Sequence, residues 1–344
     1  MSDRPRIRDI AEQLGVSPAT VSRALSGSNL VAEPTLSRIR EVAQALNYRP
    51  NISARRLRTQ RAMTVLMVVR DVGNPFYLDI FKGIEATARE AGYSVLMGNT
   101  ENDPGREVEY FDMLSDGHAD GMILMTGKLP QGIRNVPSDA PVVVALEAID
   151  GSGLPHIQID NEAASRMAVR HLIDLGHRRI AHIAGPLPEI MATLRRDGYR
   201  HAMADAGLPI LDGYEQRGDY LLQSGQELCR RLFALPRPPT AIFVANDEMA
   251  FGAIHELRRL GRDVPGEVSV VGFDDLYLSA AFFPALTTVS QPRAEIGRQA
   301  MTMLLAMLAG DPVPAEPVVM PVTLQIRGTT APPPTDDLKR SPDR

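Results

Sequence analysis

Apolar residues recur at helical spacing through the first 50 positions. Beyond position 63 they change to short continuous runs separated by helical stripes. Ile7, Ile10, Ala11 and Leu14 fall at i, i+3, i+4 and i+7, one face of an amphipathic helix. Gly15 follows at once and suits a helix end that needs a positive φ. Ser17-Pro18 then reads as a cap followed by proline in a first helical turn. The second helix runs from Pro18 to about Leu25. It is predicted to bury Val21 and Leu25 and to turn Ala19, Thr20, Ser22 and Arg23 outward. A third stripe, Leu36, Ile39, Val42, Ala43 and Leu46, closes a three-helix unit. Two short helices across a tight glycine-containing turn form a helix-turn-helix pattern, whose second helix enters the DNA major groove. Alone, the pattern also describes a generic small helical domain.

From position 64 the pattern is strand, helix, strand. Apolar runs at 65–69, 95–97, 122–125, 142–146, 180–183, 241–244 and 269–271 read as buried strands, with helical stripes such as 77–91 and 249–260 between them. Repeated this way, they build parallel sheets with helices on both faces. More than 250 residues of this pattern exceed one comfortable core, so two lobes are expected. In open parallel sheets, ligands bind beyond the carboxyl ends of the strands. Those ends hold Asn246 and Asp247, Asp274 and Asp275, Glu147, and the run from Asp71 through Asn74 to Phe76 and Tyr77. Carboxylates, an amide and aromatic faces suit a polyhydroxylated ligand.

Composition adds one decisive point. The chain has 344 residues and a formal net charge of −5, which taken whole argues against a nucleic-acid partner. Divided, it does not. Eleven arginines against five acids give residues 1–62 a charge of +6, leaving −11 for the remainder. A basic head on an acidic body points to a small anion-binding module joined to something larger. One cysteine, Cys229, excludes an intramolecular disulfide framework and a multi-cysteine metal site. It lies on the apolar side of LCRRLF and reads as a core residue. The charged start MSDRPRIRDI is unlike a secretory signal, and no run of about 18 apolar residues offers a membrane span, so a cytoplasmic protein is expected.

Residues 50–61, PNISARRLRTQR, set Arg55, Arg56, Arg58 and Arg61 around Leu57. They read either as a solvated linker or as a short helix that orders on DNA, arginines on phosphates and Leu57 wedged into the minor groove. At this point IRDIAEQLGVSPATVSRALSGS, NYRPNISARRLRT and TVLMVV together resemble the LacI/GalR family of bacterial transcriptional regulators. The resemblance runs from about Ile7 to Arg327, and Val16 to Leu25 carries its most specific block. NPFYLDIFKGIEATAREAGY and TTVSQPRAEIGRQAM look nearest to the cytidine-repressor-like members.

That resemblance implies an all-α helix-turn-helix DNA-binding head plus an α/β, periplasmic-binding-protein-like body of two parallel-sheet lobes. The chain is expected to cross between the lobes near Asp160, Pro292 and Pro321. Expected divisions are a head at 1–49, a hinge at 50–63, a ligand-binding and dimerisation body at 64–330 and a disordered tail at 331–344. The resemblance places Pro18, Ala19 and Arg23 at base edges, Thr20, Ser22 and Asn29 at phosphates, and Leu57 in the minor groove, with Arg55 among the hinge arginines expected on DNA. Arg23 is the side chain on this helix able to contact guanine bidentately. It makes Arg195 the residue that holds an effector, with Glu147, Asn246, Asp274 and Phe76 around it and Tyr77 and Gln291 as further positions. Asp275 reads equally as a structural carboxylate capping the next turn. Where a serine usually caps the third helix of the family, this chain has Ala32.

The partners implied are a near-palindromic double-stranded DNA operator, a sugar or nucleoside effector and a second copy of the chain, with no cofactor, metal or membrane. His171, His177 and His182 fall on a helix, a loop and a strand and lack metal-ligand spacing. No GxSxG, HExxH or Walker A motif is present. The competing expectation is an enzyme or solute-binding protein on the same body, with Glu147 and Asp274 facing each other as acid and base.

Overall fold

The computed structural model describes residues 5–25, 30–48, 61–129, 140–149 and 151–334. The chain divides into two compact units, Met1–Ala62 and Met63–Arg344. In the first, α1 (Ile7–Leu14), α2 (Pro18–Leu25) and α3 (Glu33–Ala45) pack around Ile10, Ala11, Val21, Ala24, Ile39 and Ala43. Gly15 ends α1 in the left-handed region at φ 66°. Ser17 Oγ accepts the Thr20 amide at 3.1 Å, which caps α2 as the Ser-Pro pair predicts. One detail of α2 differs from the periodicity. Ala24 is buried beside Val21, and Leu25 is half-buried, packed against the same cluster. Ala32 precedes α3 with no side-chain cap. Asn29, Arg55 and Leu57 lie outside the described residues.

The second unit contains β1 (Thr64–Val69), α4 (Phe76–Glu90), β2 (Ser94–Asn99), α5 (Pro104–Ser115), β3 (Gly121–Leu124), β4 (Val142–Leu146) and β5 (His156–Ile159). Then follow α6 (Asn161–Asp174), β6 (Ile180–Ala184), α7 (Ile190–Asp205), β7 (Glu215–Arg217), α8 (Leu222–Phe233) and β8 (Ala241–Val244). The chain continues through α9 (Asp247–Arg259), β9 (Ser269–Asp274), α10 (Tyr277–Ala281) and β10 (Thr287–Ser290) to α11 (Arg293–Ala309), β11 (Val318–Met320) and β12 (Thr323–Gln325). Among the described residues the strands form two six-stranded sheets, ordered β11-β5-β4-β3-β1-β2 and β12-β10-β9-β8-β6-β7. Every pairing is parallel except β10 with β12.

The chain therefore passes between lobes three times: after β5, after β10 and between β11 and β12. α11 leaves the second sheet's lobe and packs back on α4 of the first. Backbones touch there: a Cβ on Gly83 would sit 2.0 Å from Ala294 O, and one on Gly297 would sit 2.1 Å from Ile80 O. Glycine at both positions is what lets the two helices approach so closely.

The central strands β1, β3, β4, β6, β8 and β9 are buried on both faces, as their unbroken apolar runs predict. Residues 331–334, expected to open a tail, are ordered against the body. The Ala331 amide donates to Ser269 Oγ at 3.0 Å, and Ala331 O accepts from the same hydroxyl, so residues 331–334 continue the second lobe. Proline and polarity there suggest a tail, but backbone hydrogen bonding holds the segment. No described helix is long and apolar enough to cross a membrane.

Candidate functional site

Where the carboxyl ends of the two sheets face each other, they enclose a cavity of about 310 Å³. Phe76, Tyr77, Arg195, Asn246 and Asp274, all expected at a ligand, line it. Phe76 and Tyr77 open α4 and meet edge to face, their ring centroids 5.5 Å apart. The Asn74 side chain accepts the Phe76 amide at 2.9 Å and fixes where that helix begins.

Arg195 comes from α7 and is 3% exposed. Its Nε donates to Asn161 Oδ1 at 2.9 Å and its Nη1 to Ala245 O at 2.5 Å, while its plane lies 3.7 Å over the Phe273 ring. Asp274 Oδ1 stands 3.7 Å from Nη1. An arginine fixed on several sides presents its remaining donors in one geometry, which suits recognition of ligand hydroxyls.

Asp274 ends β9 at φ 113°, a left-handed position that a non-glycine residue holds at a cost of about 1–3 kcal/mol. Burial drives its carboxyl up to about 7, against the pull of Arg195. Asn246 has two tasks: its Oδ1 caps α9 through the Met249 amide at 3.1 Å, and its Nδ2 donates to Tyr220 O at 2.9 Å.

Two expected residues stand behind the wall. Glu147 does not line the cavity; its Oε1 pairs with Arg70 Nη2 at 2.6 Å. Gln291 donates to Asp274 Oδ1 at 2.8 Å and orients it. Glu147 and Asp274 therefore do not face each other across the cavity as acid and base: Glu147 is off the cavity lining and ion-paired with Arg70. Asp275 pairs with Arg327 at 2.7 Å and serves the fold. So does Asp247, which accepts from the Leu276 amide and from the Ser279 and Thr288 hydroxyls at 2.6–2.8 Å.

The wall also holds residues that the strand-end rule did not name: Arg70, Asn102, Glu189, Met191, Asp219 and Tyr220. Arg70 directly follows β1, and Glu189 follows β6, so the same rule reaches both when carried further along the loops. Asp219 and Tyr220 follow β7, a three-residue strand with no apolar run to announce it. The Tyr220 ring lies on Gly185, where a Cβ would come within 2.3 Å of it, and the buried Tyr220 hydroxyl has no hydrogen-bond partner among the described residues. A buried unpaired hydroxyl at a cavity wall is a group that a ligand can satisfy.

In the head, Pro18, Ala19 and Arg23 are exposed on α2, and Thr20 and Ser22 are half-buried. The Thr20 hydroxyl sits 2.8 Å from Ser17 Oγ. The three histidines serve the body's interior. His171 meets Thr330 and His177 bridges Thr240 and Ser269, each at 3.0 Å, while His182 stacks on Phe243 and bonds its carbonyl. Burial lowers His182 to about 4 and raises the Cys229 thiol to about 12, leaving both neutral. Among the described residues no group of three or more His, Cys, Asp or Glu is placed to hold a metal ion.

Comparison with known proteins places these features in context. Residues 6–51 match the description "Bacterial regulatory proteins, lacI family", and residues 169–330 match "Periplasmic binding protein-like domain". The HTH-type transcriptional repressor CytR of Escherichia coli (strain K12) is 37% identical over 329 residues, 94% of this chain and 96% of its own length. A solved structure of the lac repressor dimer bound to operator and the anti-inducer ONPF superposes with a TM-score of 0.84 at 28% identity. That match covers 96% of this chain and 100% of the other. A transcriptional regulator CelR–cellobiose complex superposes at 0.70, with 28% identity over 95% of this chain and 100% of its own.

Proposed function

The chain belongs to the lacI family of bacterial regulatory proteins, and from that premise we propose that its cleft reads a sugar or a nucleoside and thereby sets operator affinity. It is a DNA-binding transcriptional repressor under small-molecule control, not an enzyme. The observation that carries the ligand reading is the cavity between the lobes, whose wall mixes fixed guanidiniums, carboxylates and amides with the rings of Phe76, Tyr77 and Tyr220. Such a wall matches a small molecule with many hydroxyls and an apolar face.

Arg195 and Asp274 make the principal contacts, Phe76, Tyr77 and Asn246 complete them, and Glu147 and Gln291 act by holding Arg70 and Asp274. On DNA, α2 lies in the major groove. There Arg23 contacts guanine, Pro18 and Ala19 make apolar contacts, and Thr20, Ser22 and Asn29 meet phosphates. Leu57 completes the contact in the minor groove, with Arg55 on phosphate. The protein acts in the cytoplasm as a homodimer on a near-palindromic operator. Tyr277, Leu278 and Phe283 stand exposed on the body, apolar surface that a second copy would cover.

Ligand binding changes how the lobes pack, and the three crossings carry that change toward the head. The test is a thermal-shift screen of the full-length protein against sugars and nucleosides, followed by a band shift on a palindromic operator with each hit. A hit that alters operator affinity 5- to 150-fold, about 1–3 kcal/mol of coupling, is expected. Turnover of the hit, or a hit without any effect on DNA binding, refutes the reading.

A further inference from the structure

The charges of the cleft bear on what it excludes, and this inference rests on reading the cleft as the effector site. Four carboxylates line it, Asp71, Glu189, Asp219 and Asp274, against two guanidiniums, Arg70 and Arg195. Both guanidiniums already face a carboxylate. Arg195 stands near Asp274 within the second lobe. Arg70 is fixed to the floor of the first: its Nε and Nη2 donate to Thr126 O at 3.1 and 2.8 Å, and Nη2 also meets Glu147. That leaves Nη1 turned toward the opposite lobe, where Glu189 Oε2 accepts it. Glu189 precedes α7, 119 residues along the chain from Arg70, so this contact reaches across the cleft.

We propose that Glu189 makes the cleft selective for uncharged hydroxylated ligands, by occupying the face of Arg70 that a phosphate or carboxylate group would otherwise take. An anionic group at Arg70 must displace Glu189 and then lie beside two carboxylates, Glu189 and Glu147. Like charges brought together there are strongly unfavourable, and specificity is built as much from such repulsion as from attraction. An uncharged sugar or nucleoside meets no such opposition. Its hydroxyls donate to Glu189 and accept from Arg70 without separating the pair. The cleft thereby distinguishes a free sugar or nucleoside from its own phosphate ester, the product of a phosphoryl-transfer reaction upon it.

The test uses the full-length chain and inorganic phosphate, with ionic strength held constant by chloride. Wild type is expected to gain no more thermal stability from phosphate than from chloride. Glu189→Gln keeps the side chain's size and removes its charge. It is expected to bind phosphate about tenfold more tightly than wild type, the order of one charge-assisted hydrogen bond regained. Adding Arg70→Gln is expected to abolish the gain. Matched pairs (ribose with ribose 5-phosphate, glucose with glucose 6-phosphate, uridine with its 5′-monophosphate) are then compared by calorimetry. The affinity for the ester relative to its parent is expected to rise in Glu189→Gln. Equal phosphate responses in the two proteins, a gain that survives Arg70→Gln, or an unchanged ester-to-parent ratio overturns the proposal. If no parent compound binds either protein, the sugar-or-nucleoside reading fails, and the inorganic phosphate comparison alone decides the role of Glu189.

Discussion

Asp274→Asn is the substitution whose effect on stability has a sign and a size that follow from geometry. The carboxyl is 5% exposed, accepts from Gln291 and faces Arg195. Burial, opposed by Arg195 and aided by the neighbouring Asp247 carboxylate, raises it from 3.8 to about 7. The folded protein thus binds this proton more tightly than the unfolded chain does. Its contribution to stability is complete below pH 3.8 and is lost as pH rises through about 7. At about 1.4 kcal/mol per pH unit, the loss reaches about 4 kcal/mol at pH 8, of which about 2–3 kcal/mol develops between pH 5 and 8. Asparagine matches the protonated carboxyl in shape and charge and keeps an acceptor for Gln291. Urea unfolding of both proteins at several pH values measures the difference. The variant's advantage is expected to grow by about 2–3 kcal/mol from pH 5 to 8, while its affinity for the effector falls because the ionised acceptor is gone. Stability curves that run parallel across that range refute the reasoning.

Arg195→Lys keeps one charge near Asp274 but loses the Nε bond to Asn161 and the stacking on Phe273. Effector affinity is expected to fall by about 30- to 100-fold, from about 2–3 kcal/mol of directed hydrogen bonding. Operator binding without effector persists, and calorimetry beside a band shift separates the two. Gly185→Ala drives a methyl group into the Tyr220 ring and is expected to weaken effector binding. In a Tyr220→Ala background the same change costs nothing further, which a double-mutant cycle reads directly. Arg23→Ala is expected to cost about 1–3 kcal/mol and to relax sequence preference at one base pair in each half-site. A uniform loss across all operator sequences in a competition binding assay contradicts direct readout by this residue.

The fold was legible where one local property decided it. Unbroken apolar runs announce seven of the body's strands, but only six of these are buried on both faces; the run at 95–97, expected to be buried, lies in β2 at a sheet edge and leaves Leu96 exposed. The five others are edge or near-edge strands, or short ones. Glu215–Arg217 is three polar residues paired only with β6, and Thr287–Ser290 is hydroxyl-rich because its side chains bond to Thr330 and Asp247. Their strand character comes from the neighbour that pairs with them, which no window of sequence contains. The same reason explains α2. Helical periodicity identifies the buried face, but whether Ala24 or Leu25 lies at its centre is decided by packing against the other two helices.

The lining of the candidate cavity was legible residue by residue within each lobe and illegible across the cleft. Arg195, Asn246 and Asp274 belong to one lobe and follow from strand ends and a family pattern. Glu147, judged alone, is an acid at a strand end, as good a ligand as any. Its actual work appears only with Arg70 beside it, and Arg70 matters only because Glu189 meets it from the other lobe. A salt bridge between loops 119 residues apart is a property of how the lobes close. In the reading proposed above, ligand choice in this body rests on the few charges that meet when its two lobes do, Arg70 with Glu147 and Glu189.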